Sequence, residues 1–278
     1  MNLAYHIAMV EAGGPGSGCN PAAGKCGRPA GASSDEDVEK KLTSKPVTSS
    51  SYLDMEGANA ATTRLVKLQD DGRGVFKTDE GKWNEVAAYE IAKAVGMGDL
   101  VPPTVMRTIN GEEGSLQQFQ EGSHRMKAGE VMSAPDLARA VAFDLMIGNL
   151  DRHGGNFLIG ADGKLRLIDN GLAFSARSAV VAKDSHFLYM LASGKTFSGT
   201  KIKLTDLDNV PSPKSLAAAI ERKIPEIKES VRKLEDENGD TLEAYAGAFA
   251  QQAVKELAPH DSWKEMGQRI GYIVDDEN

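Results

Sequence analysis

Asp151-Arg152-His153-Gly154-Gly155-Asn156 and, a short distance on, Leu167-Ile168-Asp169-Asn170-Gly171 are the segments that decide the fold. The first segment places a carboxylate and a carboxamide at the two ends of one tight loop. In phosphoryl transfer, Asp151 would orient an attacking hydroxyl and Asn156 would bind a cation. The second aspartate, Asp169, would complete the site by holding Mg2+ across the phosphates of a nucleotide. This spacing predicts the active site of a phosphotransferase.

The residues between these segments predict a β-hairpin. Residues 156–159 and 164–168 are apolar enough to form its two strands, and Ala-Asp-Gly at 161–163 is typical of its turn. An antiparallel hairpin brings the start of one strand beside the end of the other. Asn156 and Asp169 should therefore lie at the same end, where one ion could bridge them.

The order of these motifs resembles that of protein kinases, with one difference. In protein kinases a histidine precedes the catalytic aspartate, whereas here His153 follows Asp151. Asp-Arg-His-x-x-Asn with Ile-Asp-Asn-Gly-Leu-Ala-Phe resembles the phosphatidylinositol 3- and 4-kinase-like group, in particular type II phosphatidylinositol 4-kinases, the actin-fragmin kinase and their bacterial or phage relatives. The resemblance covers residues 54–260 and implies that His153 supports the loop or the phosphates.

The same resemblance implies the fold class and the cofactors. We expect an α+β, two-lobed protein-kinase-like fold, with a small β-rich N-lobe at 52–120 and a helical C-lobe at 121–278. The length of 278 residues and the apolar content of 41% suffice for one such core. The expected ligands are ATP and Mg2+, or Mn2+ in its place.

A phosphate-binding lysine and its partner are expected upstream. Residues 74–77, Gly-Val-Phe-Lys, predict a short strand that ends in Lys77, and the apolar spacing from residue 83 onward predicts a helix. Lys77 would contact the α- and β-phosphates, and a helix glutamate would hold it there. Glu85 matches the Glu-Val-Ala-Ala-Tyr pattern of the resembled family and is assigned that role. Glu90, about 140° around the helix, is the second choice.

Two further segments are candidates for nucleotide contacts. Gly57 and Asn59 belong to a Gly-Ala-Asn-Ala stretch that looks like the family's phosphate loop, although an ordinary turn would have the same composition. Residues 114–119 resemble the segment that joins the two lobes of a kinase. Gln118, Phe119 and Gln120 would then lie along the adenine edge, although a strand that packs residues 116 and 119 into a core would have a similar sequence.

The N-terminal stretch is rich in Gly, Ala, Ser and Pro and predicts a flexible leader at 1–51. Its glycine-rich runs resemble linkers of tailed-phage head proteins, which suggests a phage or prophage origin; a generic linker is the alternative. The two cysteines, Cys19 and Cys26, form neither a zinc pattern nor a disulfide scaffold. At the other end, apolar spacing predicts a helical C-lobe, with Pro225 starting a separate helix.

The net charge of −8 argues against some partners. It provides no basic footprint for nucleic acid and no Lys/Arg cluster for anionic lipid. No apolar run approaches the roughly 20 residues of a membrane span. The first ten residues do not have the pattern of a secretory signal, so we expect a cytoplasmic protein, in the host cytoplasm or associated with virions.

The acceptor follows from what is missing between Lys77 and Glu85. Type II phosphatidylinositol 4-kinases carry a cysteine-rich insertion there, whereas here the two residues are eight positions apart with no cysteine. A protein hydroxyl is therefore the expected acceptor, and an inositol lipid the second. Two alternatives remain: a kinase-fold enzyme that transfers AMP, and a phage head-associated pseudokinase that only binds partners.

Overall fold

A computed structural model of the protein describes residues 34–52, 62–149, 151–174, 185–196, 198–236 and 239–272. Its strands are β1 Val47–Tyr52, β2 Thr63–Leu68, β3 Arg73–Lys77, β4 Thr104–Ile109, β5 Glu112–Gln118, β6 Val131–Ser133, β7 Phe157–Ile159, β8 Leu165–Leu167 and β9 Lys203–Thr205. Its helices are α1 Asp35–Ser44, α2 Lys82–Ala94, α3 Ala134–Ile147, α4 His186–Ser193, α5 Pro213–Val231, α6 Leu242–Leu257 and α7 Trp263–Arg269. In these ranges no helix is both long and apolar enough to cross a bilayer.

The N-terminal part is a five-stranded antiparallel sheet in the order β1-β2-β3-β5-β4. Val66, Phe76 and Leu116, one from each of the three central strands, are fully buried. Gly74 permits the close pairing of β3 with β5, since a Cβ there would lie 2.7 Å from Leu116 Cδ1. Helix α2 packs against β4 and β5. The helix that carries Glu85 therefore lies on the sheet to which the strand ending in Lys77 belongs.

The C-terminal part is mainly helical and is built around α3. Ser133 caps the start of α3 by accepting a 3.3 Å hydrogen bond from the Asp136 N–H, and Gly148 ends it in the left-handed region at φ 61°. Helices α4 and α6 pack against α3. Most of α3 is buried, so its end is a fixed point from which the chain enters the loop at Asp151. The predicted α+β fold class, with a small sheet part and a helical part, is confirmed.

The expected hairpin is present as β7 and β8, whose register pairs Phe157 with Leu167 and Ile159 with Leu165. Beyond the Phe157–Leu167 pair, at the open end of the hairpin, the Ile168 N–H donates to the Asn156 carbonyl at 3.1 Å. Asn156 therefore precedes one strand, Asp169 follows the other, and both lie at one end of the hairpin. The shared end predicted from the sequence is the end that the register produces.

The leader predicted for residues 1–51 does not extend that far. Ser34 caps α1 through a reciprocal pair of hydrogen bonds with Asp37, and Leu42 of α1 is buried in the core beneath the sheet. The Tyr89 hydroxyl on α2 donates to Glu39 at 2.6 Å. The polar composition of this segment gives no sign of a strand or a helix in the sequence, because β1 is a serine-rich edge strand and α1 buries only one side chain fully. Cys19 and Cys26 lie outside the described residues.

The separate helix expected from Pro225 is wrong, because this proline lies inside α5. A proline in a helix interior removes one backbone hydrogen bond. Ile220 before it and Ile227 and Val231 after it are nevertheless buried on the same face of α5. The continuity of that apolar face keeps one helix where the local signal predicts two.

Leu42→Ala tests whether α1 belongs to the fold. We expect it to lower the free energy of unfolding by about 2–5 kcal/mol, as loss of a buried leucine side chain does. Leu207→Ala is the matched control; its side chain is 62% exposed, so a change within about 0.5 kcal/mol is expected. Urea unfolding measures both variants. Equal, small effects would return residues 34–51 to the leader.

Candidate functional site

Lys77 lies at the centre of the candidate site. It is the last residue of β3 and is only 4% exposed, so its ammonium group needs charged partners. Its Nζ contacts a carboxylate oxygen of Glu85 and lies 2.5 Å from Asp169 Oδ1. Asp169 is 92 positions further along the chain. The predicted lysine, glutamate and metal aspartate thus come together through one ammonium group.

Glu85 joins the sheet to the segment after Asp169. One of its carboxylate oxygens contacts Lys77, and the other accepts a 3.0 Å hydrogen bond from the Asn170 N–H. Complete burial raises the pKa of the Glu85 carboxyl, Lys77 opposes this, and Asp169 adds to it. Glu90, the second choice, pairs with Lys93 at 2.9 Å instead. The structure therefore places Glu85 at the lysine.

Asp151 and Asn156 face each other across the loop. Asn156 Nδ2 donates to the Asp151 carbonyl at 2.7 Å and to Asp151 Oδ2 at 3.2 Å. The Asp151 N–H in turn donates to Asn149 Oδ1 at 3.0 Å. The Asp151 side chain is 44% exposed, so it is held in place and still accessible to an acceptor.

Asn156 and Asp169 have the chemistry of a magnesium site. Asn156 is fully buried, yet its Oδ1 has no hydrogen-bond partner among the described residues. A buried acceptor of this kind is costly unless something binds it. Mg2+ takes oxygen ligands and is usually held by one or two protein groups together with substrate phosphates. The described ranges contain no cluster of three or more His, Cys, Asp or Glu side chains, and such a site needs none.

His153 lies on the Asp151 side of the loop. Its Nδ1 accepts a 2.9 Å hydrogen bond from the Gly155 N–H, and its Nε2 is 3.8 Å from Asp151 Oδ2. The ring is thus held by the loop and presents its other nitrogen to the carboxylate. This placement fits support of the loop, the first of the two roles that the resemblance implies.

Arg152 holds the loop in place, and sequence reasoning missed it. Its guanidinium is buried against Asp144 of α3, with a 3.0 Å contact to Asp144 Oδ1. It also donates to the Asn156 carbonyl, to the Ile168 carbonyl at 2.7 Å and to Asn170 Oδ1 at 2.6 Å. Burial raises the pKa of Asp144 and Arg152 opposes this. The sequence signal was Asp144 itself, the one charge in the apolar second half of α3, residues 140–147.

Asn84 is a second residue that the sequence did not indicate. Its Nδ2 donates to the carbonyls of Gly171 at 2.8 Å and Ala173 at 2.9 Å. Gly81, just before α2, approaches Gly171 so closely that a Cβ on Gly81 would lie 2.6 Å from Gly171 Cα. The start of α2 is thereby fastened to the segment after Asp169. No local pattern marks an asparagine for this contact.

The predicted adenine segment follows β5. Phe119 continues the pairing with β3 through a 3.0 Å hydrogen bond from its N–H to the Arg73 carbonyl. Its ring is buried in a cluster with Val75, Leu158 and Ile168, which spans β3 and the β7–β8 hairpin. Gln120 Nε2 donates to the Gln118 carbonyl at 3.3 Å. A role for these three residues at a base stays a prediction, as do those of Gly57 and Asn59, which lie outside the described residues.

Comparisons with known proteins find similar solved structures but no family. No family model matches the sequence, and no curated protein matches it. The proinflammatory kinase CtkA of Helicobacter pylori is similar over 82% of this chain and 96% of its own, with 14% identity and a TM-score of 0.38. The choline kinase LicA of Streptococcus pneumoniae is similar over 81% and 97%, with 14% identity and a TM-score of 0.32.

Arg152→Met should destabilise the protein strongly, because it leaves the Asp144 carboxylate buried without its counter-charge. Removing one partner of a buried ion pair costs about 3–5 kcal/mol. The matched control is Arg232→Met, whose side chain is 57% exposed in surface ion pairs worth about 1 kcal/mol or less. The free energy of unfolding in urea decides. A loss of less than about 1 kcal/mol for Arg152→Met would contradict its anchoring role.

Proposed function

We propose that this protein is an ATP- and Mg2+-dependent phosphotransferase, with Mn2+ as an alternative metal. The observation that carries the proposal is the contact of Lys77 with both Glu85 and Asp169. A buried lysine held between a helix glutamate and a hairpin aspartate is the arrangement that phosphoryl transfer uses to position phosphates and metal. A purely structural ion pair would not explain the unpartnered oxygen of Asn156 nearby.

The proposed roles follow from the contacts. Lys77 binds the α- and β-phosphates, and Glu85 keeps its ammonium group in place. Asn156 Oδ1 and the Asp169 carboxylate would hold the metal, which would neutralise the charge of the phosphates. Asp151, half-exposed and oriented by Asn156, accepts the proton of the attacking hydroxyl.

The proposed acceptor is a protein hydroxyl. This rests on the sequence, in which eight positions separate Lys77 from Glu85 and no cysteine-rich insertion intervenes. In the structure the two residues are linked by a short segment and an immediate helix start at Lys82. The connection therefore contains no lipid-binding insertion, which supports a protein acceptor. Phage origin and virion association remain hypotheses from the resemblance of the leader.

The two aspartates should respond differently to Asp→Asn substitution. Asp169→Asn removes a metal-binding charge, so it should lose both the thermal shift with ATP and Mg2+ and phosphate transfer. Asp151→Asn should keep the thermal shift and lose about 10²–10⁴ in transfer rate, the contribution of a positioned general base. For the parent, saturation to a hundredfold excess over Kd should add about 2.7 kcal/mol of stability.

Asp261→Asn is the matched control, since its side chain is 80% exposed and distant in sequence from the motifs. It should behave as the parent in both assays. A flat thermal response of the folded parent to ATP with either metal would overturn the proposal. A reversed pattern, with nucleotide binding lost in Asp151→Asn and kept in Asp169→Asn, would show that the two roles are wrongly assigned.

The isotope position separates phosphoryl from adenylyl transfer. Label from γ-labelled ATP should enter acceptor proteins of a host lysate, whereas label from α-labelled ATP should not. Asn156 and Asp169 would hold the metal, and Lys77 Nζ lies 2.5 Å from Asp169 Oδ1; this arrangement favours attack at the γ-phosphate. Incorporation of the α-label alone would instead favour AMP transfer.

A further inference from the structure

Arg125 is a cation without an acidic partner in the part of the chain that the structure describes. It is half-buried, its Nε is fully buried, and that nitrogen has no hydrogen-bond acceptor among the described residues. Burial lowers the pKa of its guanidinium. A partly desolvated guanidinium left in this state costs free energy, which an anion bound beside it would offset.

The position of Arg125 brings it to the catalytic loop. His124 and Ile159 exchange two backbone hydrogen bonds, of 2.9 and 2.8 Å, in an antiparallel bridge. The residues after His124 therefore run back along β7 toward Asn156. Arg125 Nη2 lies 3.3 Å from the point where a Cβ on Gly155 would stand, and His153 Cε1 lies 2.7 Å from the same point. The guanidinium and the imidazole thus converge on the bare backbone of Gly155.

Three other arginines of the C-terminal part have carboxylate partners. Arg152 pairs with Asp144, Arg139 with Asp99 and Arg166 with Asp162. In the segment of Arg125 itself, Glu130 is engaged by His124 Nε2 at 3.2 Å and by the Lys127 N–H at 3.2 Å. Arg125 therefore points toward the loop with a charge that no acid among the described residues neutralises.

Through Gly155 and His153, Arg125 neighbours Asp151, the residue assigned to the acceptor. It approaches Gly155 together with His153, and the free nitrogen of His153 faces Asp151, the group assigned to the attacking hydroxyl. The phosphates are assigned to other residues, Lys77 and Asp169. A negative charge bound at Arg125 would therefore belong to the molecule that presents the hydroxyl.

We propose that Arg125 is a specificity-determining residue that binds a carboxylate of an acidic peptide segment and so positions the acceptor hydroxyl at Asp151. This rests on the proposed phosphotransferase function and gives its acceptor a chemical class. A guanidinium matches a carboxylate with two parallel hydrogen bonds. An anionic membrane is the less suitable partner, because it requires a cluster of basic residues on a chain whose net charge is −8.

The test compares serine peptides that differ only in flanking charge: one with Asp and Glu, its Asn and Gln counterpart, and a Lys and Arg counterpart. Transfer from γ-labelled ATP is measured as kcat/KM. The parent should prefer the acidic peptide, and Arg125→Gln should lower kcat/KM for that peptide by about 10- to 100-fold, the range for a hydrogen-bonded charge. The neutral peptide should be affected little. Arg125→Glu should shift the preference to the basic peptide.

Lys127→Gln is the matched control, because it removes an exposed positive charge from the same segment. It should leave the preference unchanged. The thermal shift with ATP and Mg2+ should be equal in the parent, Arg125→Gln and Lys127→Gln, since nucleotide and metal are assigned to Lys77, Asn156 and Asp169. This second readout separates a change in acceptor recognition from misfolding.

Several outcomes would overturn the proposal. They are equal use of acidic and neutral peptides by the parent, an equal effect of Lys127→Gln, loss of the nucleotide shift in Arg125→Gln, and transfer to none of the peptides. Arg125-dependent transfer to phosphatidylinositol in phosphatidylserine vesicles, without transfer to peptides, would assign the residue to a lipid instead. If the parent shows a normal thermal shift with ATP and Mg2+, the proposed phosphotransferase function stands in each of these cases. If the parent shows no such shift, both that function and the role of Arg125 are wrong.

Discussion

The site depends on the buried ion pair between Arg152 and Asp144 and on the hydrogen bonds that the Arg152 guanidinium donates. This guanidinium joins three pieces of chain that are far apart in sequence: α3 through Asp144, the loop through the Asn156 carbonyl, and the hairpin end through the Ile168 carbonyl. Each of these groups would be costly to bury alone, so the arrangement is stable only when all are satisfied together. The loop geometry that sets Asp151 opposite Asn156 follows from this fixed point.

Lys77 is a second centre, with the opposite logic. The partners of Arg152 are protein groups that have no role in ligand binding. Lys77, in contrast, shares Asp169 with the proposed metal. Glu85 keeps a contact to Lys77 and a hydrogen bond to the Asn170 N–H, so the ammonium group would stay in place if Asp169 turned to a cation. One network is built for rigidity, and the other contains an exchangeable contact.

Motif residues were accessible to sequence reasoning, and their supports were not. Lys77, Glu85, Asp151, Asn156 and Asp169 belong to short patterns with fixed spacing, and the structure brings them together. Asn84 and Arg125 act through contacts with residues distant in sequence, which no local spacing encodes. The leader boundary was misplaced for a related reason. An edge strand of serines and a polar helix are ordered by the sheet and by Tyr89, and not by their own hydrophobicity.

The sequence by itself determined the chemistry of the loop, the hairpin that unites Asn156 with Asp169, and the order of sheet part and helical part. These follow from local periodicity and from turn residues, which act over a few positions. Only the tertiary structure decided that α5 continues through Pro225, and that Arg125 faces Gly155 with no acidic partner among the described residues. Such choices depend on which distant surfaces are buried together, because burial and charge pairing are summed over the whole fold.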